Sequence, residues 1–462
     1  MEFNVWKLPR LIFLVFSAIE IKYFIFISMT LLLPFLFVLE NISDVDAVYK
    51  PVKAKPTMIE PDMHIERVFK GNFEPSSFAF LDSHRILVLD RDNGLVKVIK
   101  DGSLVSESAI DVNVSTDNFR GLLGIAIFNQ NQSSLPDSNS TIYLYYSESP
   151  SEDGSDEDEN VDEEPLGNRV YKYKFINNKL IDPELLLDLP ASSPGPRHLG
   201  GVLEIGPDNN LYLSTGEGNG TFNEEYHNKV LNQVEGNEPD GRAGILRMTL
   251  DGDIAEPVIL GNKFPLNLYY AYGIRNSFGY DWDPVTGHLW DTENGPWYGD
   301  EINLVMPGFN SGWASIQGIW KTKGENIGDL AIDPLNLVTF NGKGEYSQPE
   351  FIWKEIVAPS AIKFLNSDKY GSDFKNDLFV GAANTGSIYH FELTDDRMSL
   401  KLSGMLEDRI ADSWDELTDD VTFAKGLGRV TDIEIGPDGY MYILSQQKKG
   451  ERGAFIHKIV PN

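Results

Sequence analysis

The sequence predicts an all-β protein, a six-bladed β-propeller preceded by an N-terminal hydrophobic segment. One pattern recurs along the chain: an alternating apolar strand, a polar turn that often contains Asp or Asn, and a second apolar strand. No helical periodicity of comparable length competes with it, and tandem strand pairs are typical of propeller blades. The six copies begin at Phe78, Gly124, Leu203, Tyr280, Ile362 and Ile433.

Each copy predicts a hairpin. The paired segments alternate with period two, are rich in β-branched and aromatic residues, and enclose turns such as Pro-Asp-Gly. Dividing the roughly 400 residues of the repeat region by six gives about 67 per unit, which fits four-stranded blades with loop insertions. An array of β-sandwiches or a β-helix remains the structural alternative.

The two ends of the repeat region predict how the ring closes. Residues 64–70 and 454–460 both have the composition of strands. If they share one blade, the sheets keep no open edge that would aggregate. We therefore expect the first and last strands of the propeller to pair.

Composition excludes several classes of function. The 462 residues include 39 Lys and Arg against 70 Asp and Glu, a formal net charge of −31, and no Cys. This excess of negative charge repels nucleic acid and anionic lipid surfaces, so neither is expected as the main partner. Without cysteine the chain has no disulfide, zinc–thiolate site or thiol nucleophile.

The N-terminal segment predicts export. Residues 11–39 are mostly apolar, and their only charged residues are Glu20 and Lys22. Such a segment is typical of a signal peptide or a short membrane anchor. We therefore expect an extracytoplasmic protein, secreted or tethered to the membrane through residues 11–39. The predicted domains are 1–47, the signal peptide or anchor; 48–61, a linker; and 62–462, the propeller.

An acidic segment interrupts the predicted propeller. Residues 148–164 include ten acidic residues and no basic one. Self-repulsion favours a solvated loop insertion. A low-affinity calcium loop is the alternative, although the segment lacks the glycine-punctuated spacing of a dedicated calcium loop.

The hairpin pattern predicts where polar side chains converge. The residue before the first strand and the residue after the second lie at the same edge of a hairpin, so the flanks of all copies should meet at one mouth of the channel. Imidazole, carboxylate and guanidinium groups in one concave site suit acid–base chemistry on an anionic ligand. The flanking residues are Arg120, His198, Glu217, Arg275, Asn276, Glu293, Asn294, Gly295, Pro296, Ser360, Asn384, Arg429, Thr431 and Gln446.

His198 is the candidate base among seven histidines. It lies in the glycine-rich stretch GPRHLGG at a strand mouth, and Glu217 is able to reach the same edge. A carboxylate bonded to one ring nitrogen fixes the tautomer and leaves the other nitrogen as a base near neutral pH.

Several strings of this sequence resemble one known family. They are FRGLLGIAIF, RHLGGVLEIGPDNNLYLSTGEGN, YAYGIRNSFGYDWDP, TENGPWYGDEINLVMPGFNSGW, VAPSAIKF, NDLFVGAANTGSIYHFEL and GRVTDIEIGPDGYMYIL. Taken in order, from about residue 70 to the C-terminus, they resemble the soluble PQQ-dependent aldose sugar dehydrogenases, the glucose/sorbosone dehydrogenase family.

The resemblance implies a six-bladed propeller that binds pyrroloquinoline quinone (PQQ) and Ca²⁺ over the channel mouth. It implies oxidation of an aldose, with an unidentified electron acceptor. The family's residue matching His198 takes the proton of the anomeric hydroxyl, and the acid matching Glu217 orients it. The pair matching Arg275 and Asn276 contacts the quinone, where a guanidinium stabilises oxyanion charge. The implied metal ligands are Gly295 and Pro296, through their carbonyls, and Glu301 at a second calcium.

Some positions depart from the family's pattern. Asn384 stands where the sugar oxidases carry a lysine that pairs with a cofactor carboxylate. Thr431 replaces the second of two arginines, of which Arg429 remains, and Phe119 replaces a substrate-contacting amide or acid. Each charge-assisted hydrogen bond lost would weaken PQQ binding by about 1.5–3 kcal/mol. Arg120, beside Phe119, is a candidate replacement for one lost cation.

Two other functions remain open. The first is a propeller of low cofactor affinity that binds an extracellular glycan or protein, which Asn384, Thr431 and Phe119 favour. The second is a Ca²⁺-dependent hydrolase of lactones or esters, in which the metal and His198 would activate water.

Overall fold

The computed structural model describes residues 55–116, 119–129, 140–150, 165–191, 197–218, 227–322, 328–331, 336–448 and 451–462. Regular structure in these residues consists of strands and four short 3-10 helices, Lys229–Leu231, Leu266–Leu268, Gly404–Leu406 and Trp414–Glu416. Within them, no helix has the length and apolar character needed to cross a membrane. The predicted signal or anchor segment, residues 1–47, lies outside the described residues.

The first three sheets of the chain each begin with a predicted strand pair. Sheet 1 contains Pro75–Phe80, Arg85–Asp90, Leu95–Lys100, Ser103–Leu104 and Ile110–Asp111. Sheet 2 contains Leu122–Asn129, Ser140–Glu148, Gly167–Ile176 and Lys179–Leu189. Sheet 3 contains Leu203–Ile205, Asn210–Thr215, Gly244–Thr249, Tyr269–Tyr272, Phe309–Asn310 and Glu345–Tyr346.

The next three sheets are built in the same way. Sheet 4 contains Ser277–Trp282, Leu289–Glu293, Asp300–Val305, Phe351–Trp353 and Ile410–Ala411. Sheet 5 contains Pro359–Phe364, Leu378–Ala382, Ile388–Phe391, Thr422–Lys425 and Thr57–Met58. Sheet 6 contains Arg429–Ile435, Met441–Lys448, Glu451–Pro461 and Met63–Gly71. A separate ribbon pairs Ile316–Gln317 with Trp320–Lys321.

The six sheets contact one another in chain order, and sheet 6 in turn contacts sheet 1. The strand Met63–Gly71 closes this ring, because it pairs antiparallel with Glu451–Pro461, His64 opposite Val460 and Lys70 opposite Phe455. The predicted pairing of the first and last strands is therefore confirmed. The all-β propeller is confirmed as well, and a ring of this kind leaves only short, protected sheet edges.

The core is divided among the interfaces between sheets. Each of the six interfaces holds its own cluster of buried apolar side chains, such as Trp290 with Ile362 between sheets 4 and 5, and Val88 with Leu444 between sheets 6 and 1. Alternate residues of a strand face opposite sides of a sheet, so every sheet packs on both neighbours. The first strand of each sheet is the one that faces the centre of the ring.

Two boundaries differ from the sequence prediction or fall outside the structure. Thr57–Met58, within the predicted linker 48–61, pairs with Ala424 and Lys425 of sheet 5. This pairing covers backbone groups at the outer edge of that sheet. Most of the acidic segment, residues 151–164, lies outside the described residues. At its described start, Glu148 forms an ion pair with Arg169 at 2.7 Å.

Candidate functional site

A cavity of about 770 Å³ occupies the centre of the ring. The first strand of every sheet contributes to its lining: Ser77, Leu123, Leu203, Gly279, Ile362 and Val430 come from sheets 1 to 6 in that order. The volume is within the range of pockets that hold small molecules and cofactors. Ten of the fourteen predicted flanking residues also line it, among them His198, Arg275 and Arg429. The cavity therefore lies where the hairpin pattern predicts that polar side chains converge.

His198 lines the cavity, and Glu217 holds its ring from outside the lining. Nδ1 of His198 lies 2.7 Å from Oε1 of Glu217, and their side chains are only 15% and 5% exposed. The backbone fixes this geometry, because Gly218 N–H donates to His198 C=O at 3.0 Å. A Cβ on Gly216 would lie 2.1 Å from that same carbonyl oxygen, so only glycine fits there.

Arg275 determines the tautomer of His198. Its Nη2 lies 3.0 Å from Nε2 of the ring, and a guanidinium can only donate, so Nε2 accepts and Nδ1 carries the proton donated to Glu217. Burial lowers the pKa of His198 below its ordinary value, the cations of Arg275 and Arg197 lower it further, and Glu217 opposes both. The ring is therefore neutral at neutral pH, with its Nε2 lone pair available as a base.

Arg275 is itself held rigidly. The residue is 5% exposed, and its Nη1 donates to the carbonyls of Asn294 at 2.6 Å and Gly295 at 3.0 Å. Its guanidinium carbon lies 5.4 Å from the centre of the Trp313 ring. Nε is buried without a hydrogen-bond partner among the described residues. A buried donor without a partner costs about 1–3 kcal/mol, which a bound anion would relieve.

The loop after sheet 4's second strand carries the predicted calcium carbonyls. Gly295 and Pro296 both line the cavity. The loop is fixed by Asp300, which sequence reasoning missed: one carboxylate oxygen accepts from Gly295 N–H at 2.8 Å, and the other accepts from Val357 and Ala358. Within the described residues, no three acidic or histidine side chains are arranged to hold a metal ion, so a Ca²⁺ ion here would depend on backbone carbonyls.

Glu301 does not line the cavity. It is 1% exposed and pairs in register with Glu293 across sheet 4. It accepts from Gln317 Nε2 at 2.7 Å and from Gly318 N–H. Burial and the neighbouring Glu293 raise the pKa of Glu301 well above its ordinary value. The structure thus places Glu301 in a buried network of hydrogen bonds, and its role as a calcium ligand stays a prediction.

The predicted cofactor-binding residues fall into two groups. Asn276, Arg429 and Thr431 line the cavity, and Asn276 Oδ1 accepts from Gly200 N–H at 3.1 Å. Arg120 and Asn384 are not among the described lining residues, although their neighbours Phe119 and Ala383 are. Arg120 is only 3% exposed, so of these two adjacent side chains it is the one that points into the protein. The replacement of a lost cation by Arg120 stays a prediction.

Three further arginines line the cavity, and sequence reasoning missed them. They are Arg91, Arg197 and Arg452. Arg91 forms ion pairs with Glu74 at 3.3 Å and Asp92 at 2.7 Å. The argument from hairpin flanks could have identified Arg91, because this residue directly follows the second strand of the first copy. Together with Arg275 and Arg429, these residues give the cavity five guanidinium groups.

A buried charged cluster on the inner strands was also missed. Nζ of Lys363 lies 2.9 Å from Glu204, 3.3 Å from Glu434 and 4.0 Å from Asp281. Burial raises the pKa of Glu204 to about 8 and that of Glu434 to about 7, although Lys363 opposes both shifts. Asp432 belongs to the same cluster. Strands from four sheets supply the members of this cluster, so only the closed ring brings them together.

Comparisons with known proteins agree on one family. The profile of the Glucose / Sorbosone dehydrogenase family matches residues 73–457. The quinoprotein glucose dehydrogenase B of Acinetobacter calcoaceticus is 25% identical over 413 residues, 78% of either chain. The aldose sugar dehydrogenase YliI of Escherichia coli K12 is 30% identical over 270 residues, 57% of this chain and 61% of the relative. The PQQ-bound aldose sugar dehydrogenase of Streptomyces coelicolor shares the fold, with a TM-score of 0.57 and 22% identity over 88% of this chain and all of the other.

Proposed function

Because this chain belongs to the glucose/sorbosone dehydrogenase family, we propose that it is a PQQ- and Ca²⁺-dependent aldose dehydrogenase. It oxidises the anomeric CH–OH of an aldose to the lactone. The observation that carries this proposal is the neutral His198, held by Glu217 at 2.7 Å in the central cavity with its Nε2 lone pair directed to Arg275. A general base near neutral pH is what removal of the anomeric hydroxyl proton requires.

The lining fits PQQ, which carries three carboxylates. Five arginines line the cavity, and the orphaned Nε of Arg275 needs an acceptor. Arg275, Asn276, Arg429 and Thr431 are the residues that would hold the cofactor. The supporting comparisons are the relative named a quinoprotein and the PQQ-bound structural neighbour. Bound PQQ would supply a two-electron acceptor for the hydride that leaves the sugar.

The chain's own residues handle the proton. An anomeric hydroxyl that displaces Arg275 from Nε2 can donate to that nitrogen, and His198 then takes the proton as the C–H bond breaks. The imidazolium that forms donates from Nδ1 to Glu217, whose carboxylate stabilises the new charge. Arg275 stays within reach of developing negative charge, because its other nitrogen is tied to Asn294 and Gly295.

Ca²⁺ would be held by the carbonyls of Gly295 and Pro296, which line the same cavity. The carbonyl of Gly295 also accepts from Arg275. A carbonyl oxygen has two lone pairs, so the cation and the guanidinium can share it. We propose further that the protein acts outside the cytoplasm, exported through residues 11–39, and transfers its electrons to an unidentified acceptor.

Isothermal calorimetry with PQQ in the presence of Ca²⁺ tests the proposed cofactor. The proposal predicts saturable binding of one PQQ per chain, weakened by Arg429→Ala and unchanged by Arg397→Ala. Arg397 is a matched control because it pairs with Asp283 at 2.8 Å and does not line the cavity. If calorimetry shows no heat of PQQ binding but does show binding of a glycan, the alternative of an extracellular binding module would be favoured instead.

A further inference from the structure

Two arginines of the central cavity differ from most arginines elsewhere in the chain. Arg197 and Arg452 line the cavity and are exposed, and neither forms an ion pair or a side-chain hydrogen bond with the described residues. Outside the cavity, most described arginines lie within 3.7 Å of a carboxylate, as expected for a chain with 70 acidic and 39 basic residues. These paired arginines are Arg85, Arg169, Arg242, Arg247, Arg397 and Arg409. The cavity therefore holds two guanidinium groups that await an anion.

The carboxylates of the cavity lining are matched by other cations. The acidic residues that line it are Glu74, Asp92, Glu204, Asp432 and Glu434. The first two hold Arg91 at 3.3 and 2.7 Å. The other three belong to the cluster around Lys363, whose Nζ lies 2.9 Å from Glu204 and 3.3 Å from Glu434. None of these carboxylates lies within ion-pair distance of Arg197 or Arg452 in the described structure.

The proposed cofactor leaves this positive charge unbalanced. Arg275 and Arg429 are the guanidinium groups assigned to PQQ above, and Ca²⁺ adds two positive charges beside the three carboxylates of PQQ. Positive charge at the site therefore already exceeds negative charge without Arg197 and Arg452. A cavity lined by one sign of charge concentrates ligands of the opposite sign. The second ligand of this site, the sugar, is thus expected to carry negative charge itself.

Arg197 lies directly beside the proposed base. It precedes His198 in the chain, and both residues line the cavity. Consecutive side chains of an extended strand point to opposite sides, but His198 has a φ of +60°, so this rule does not separate the two. Burial lowers the pKa of His198, and the cation of Arg197 adds to that shift, which requires the two groups to be close. An anion bound by Arg197 would therefore lie near the reacting hydroxyl of the sugar.

The chemistry of a guanidinium identifies the anion. Arginine binds a carboxylate or a phosphate through two parallel hydrogen bonds. In a hexuronate the carboxylate is attached to C5, which is bonded to the same ring oxygen as the anomeric C1. The phosphate of a hexose 6-phosphate lies further from C1. The short spacing between Arg197 and His198 therefore favours the carboxylate.

We propose that Arg197 and Arg452 select anionic aldoses, specifically hexuronates, by binding the sugar carboxylate while His198 faces the anomeric hydroxyl. This inference rests on the proposed function and names its substrate class. The carboxylate itself is unchanged in the reaction. The hydride still leaves C1 for the quinone, and the hydroxyl proton still passes to His198.

The kinetic test compares a charged with a neutral aldose. With PQQ and Ca²⁺ bound, kcat/KM should be greater for D-glucuronate than for D-glucose. Arg197→Gln and Arg452→Gln should each lower the ratio of the two values by about 10-fold or more. A change in the basicity of His198 affects both substrates and cancels in this ratio. Arg67→Gln, which removes an exposed arginine outside the cavity, is the control and should leave the ratio unchanged.

A third substrate distinguishes the two kinds of anion. D-Glucose 6-phosphate should be a poorer substrate than D-glucuronate, and a preference for the phosphate would overturn the assignment to hexuronates. A protein that favours D-glucose over both anions would overturn the inference as a whole. The same conclusion would follow if neither Arg197→Gln nor Arg452→Gln changed the ratio.

Direct binding separates this inference from the proposed function. Calorimetry of the protein without PQQ, with D-glucuronate and with D-glucose, needs no turnover. Tighter binding of glucuronate that is weakened by Arg197→Gln and not by Arg67→Gln supports the inference even if no sugar is oxidised, in which case only the proposed function fails. Equal binding of glucuronate by the unchanged protein and by both cavity variants rejects the inference whatever the activity.

Discussion

Nη2 of Arg275 lies 3.0 Å from Nε2 of His198, on the side of the ring opposite Glu217. The imidazole is thus held between a cation and an anion, which shift its pKa in opposite directions. Because the cation also occupies Nε2, the nitrogen proposed as the base, the proposed mechanism requires a substrate hydroxyl to take its place before proton transfer. The two neighbours of His198 therefore control both its orientation and its basicity.

Replacing Glu217 should impair catalysis and shift the pH profile. Glu217 raises the pKa of His198, so Glu217→Gln should lower it further and move the acid limb of kcat/KM to lower pH. The loss of tautomer control should reduce kcat by about 10- to 100-fold. Measuring kcat/KM from pH 4 to 9 checks both effects, and an acid limb that moves to higher pH would contradict the account.

Replacing Arg275 should shift the same limb the other way. Its cation lowers the pKa of His198, so Arg275→Met should raise it and move the acid limb of kcat/KM to higher pH. The same variant loses the hydrogen bonds to Asn294 and Gly295. Its PQQ affinity, measured by calorimetry, should fall by at least about tenfold. The opposite signs expected for Glu217→Gln and Arg275→Met make the pair diagnostic.

Removing Lys363 should destabilise the propeller. Its side chain is 11% exposed and faces Glu204, Glu434 and Asp281. Lys363→Met leaves buried carboxylates without their cation, at a cost of about 3–5 kcal/mol. Thermal denaturation followed by circular dichroism measures this loss of stability. Lys354→Met, which breaks an exposed pair with Asp412, is the control and should cost at most about 1 kcal/mol; equal losses would refute the cluster's role.

Stability should also fall as the pH rises from about 6 to 8. Burial raises the pKa of Asp432 to about 6, that of Glu434 to about 7 and that of Glu204 to about 8. A carboxyl group with a raised pKa in the folded state stabilises the fold at low pH, and this contribution is lost as the pH rises through that pKa. Chemical denaturation at pH 6 and pH 8 tests this, and a protein more stable at pH 8 would contradict it.

Local patterns predicted the sheets and the pairing of His198 with Glu217 because both depend on neighbours within one hairpin. The alternation starting at Leu203 specified two paired strands, and the flanks of that hairpin placed His198 and Glu217 at one edge. The closing strand at residues 64–70 was predictable because an open sheet edge is unfavourable.

Contacts that depend on the direction of one side chain or on the whole ring were not predictable. The sequence does not show that the chain turns Arg120 inward and leaves Phe119 in the cavity, since this depends on packing against Arg91. Lys363 meets Glu204 across 159 positions of sequence, on the first strands of two sheets. Such contacts follow from the closure of the ring, which no local pattern encodes.

The rate of acceptor reduction with and without His198 tests the central claim most directly. With saturating PQQ and Ca²⁺, the protein should reduce an artificial electron acceptor when given an aldose, and His198→Ala should lower kcat by about 10²- to 10⁴-fold. His84→Ala, a histidine whose side chain is 68% exposed and lies outside the cavity, should keep full activity. A His198→Ala variant that oxidises aldoses at the unchanged rate would contradict the assignment of His198 as the base.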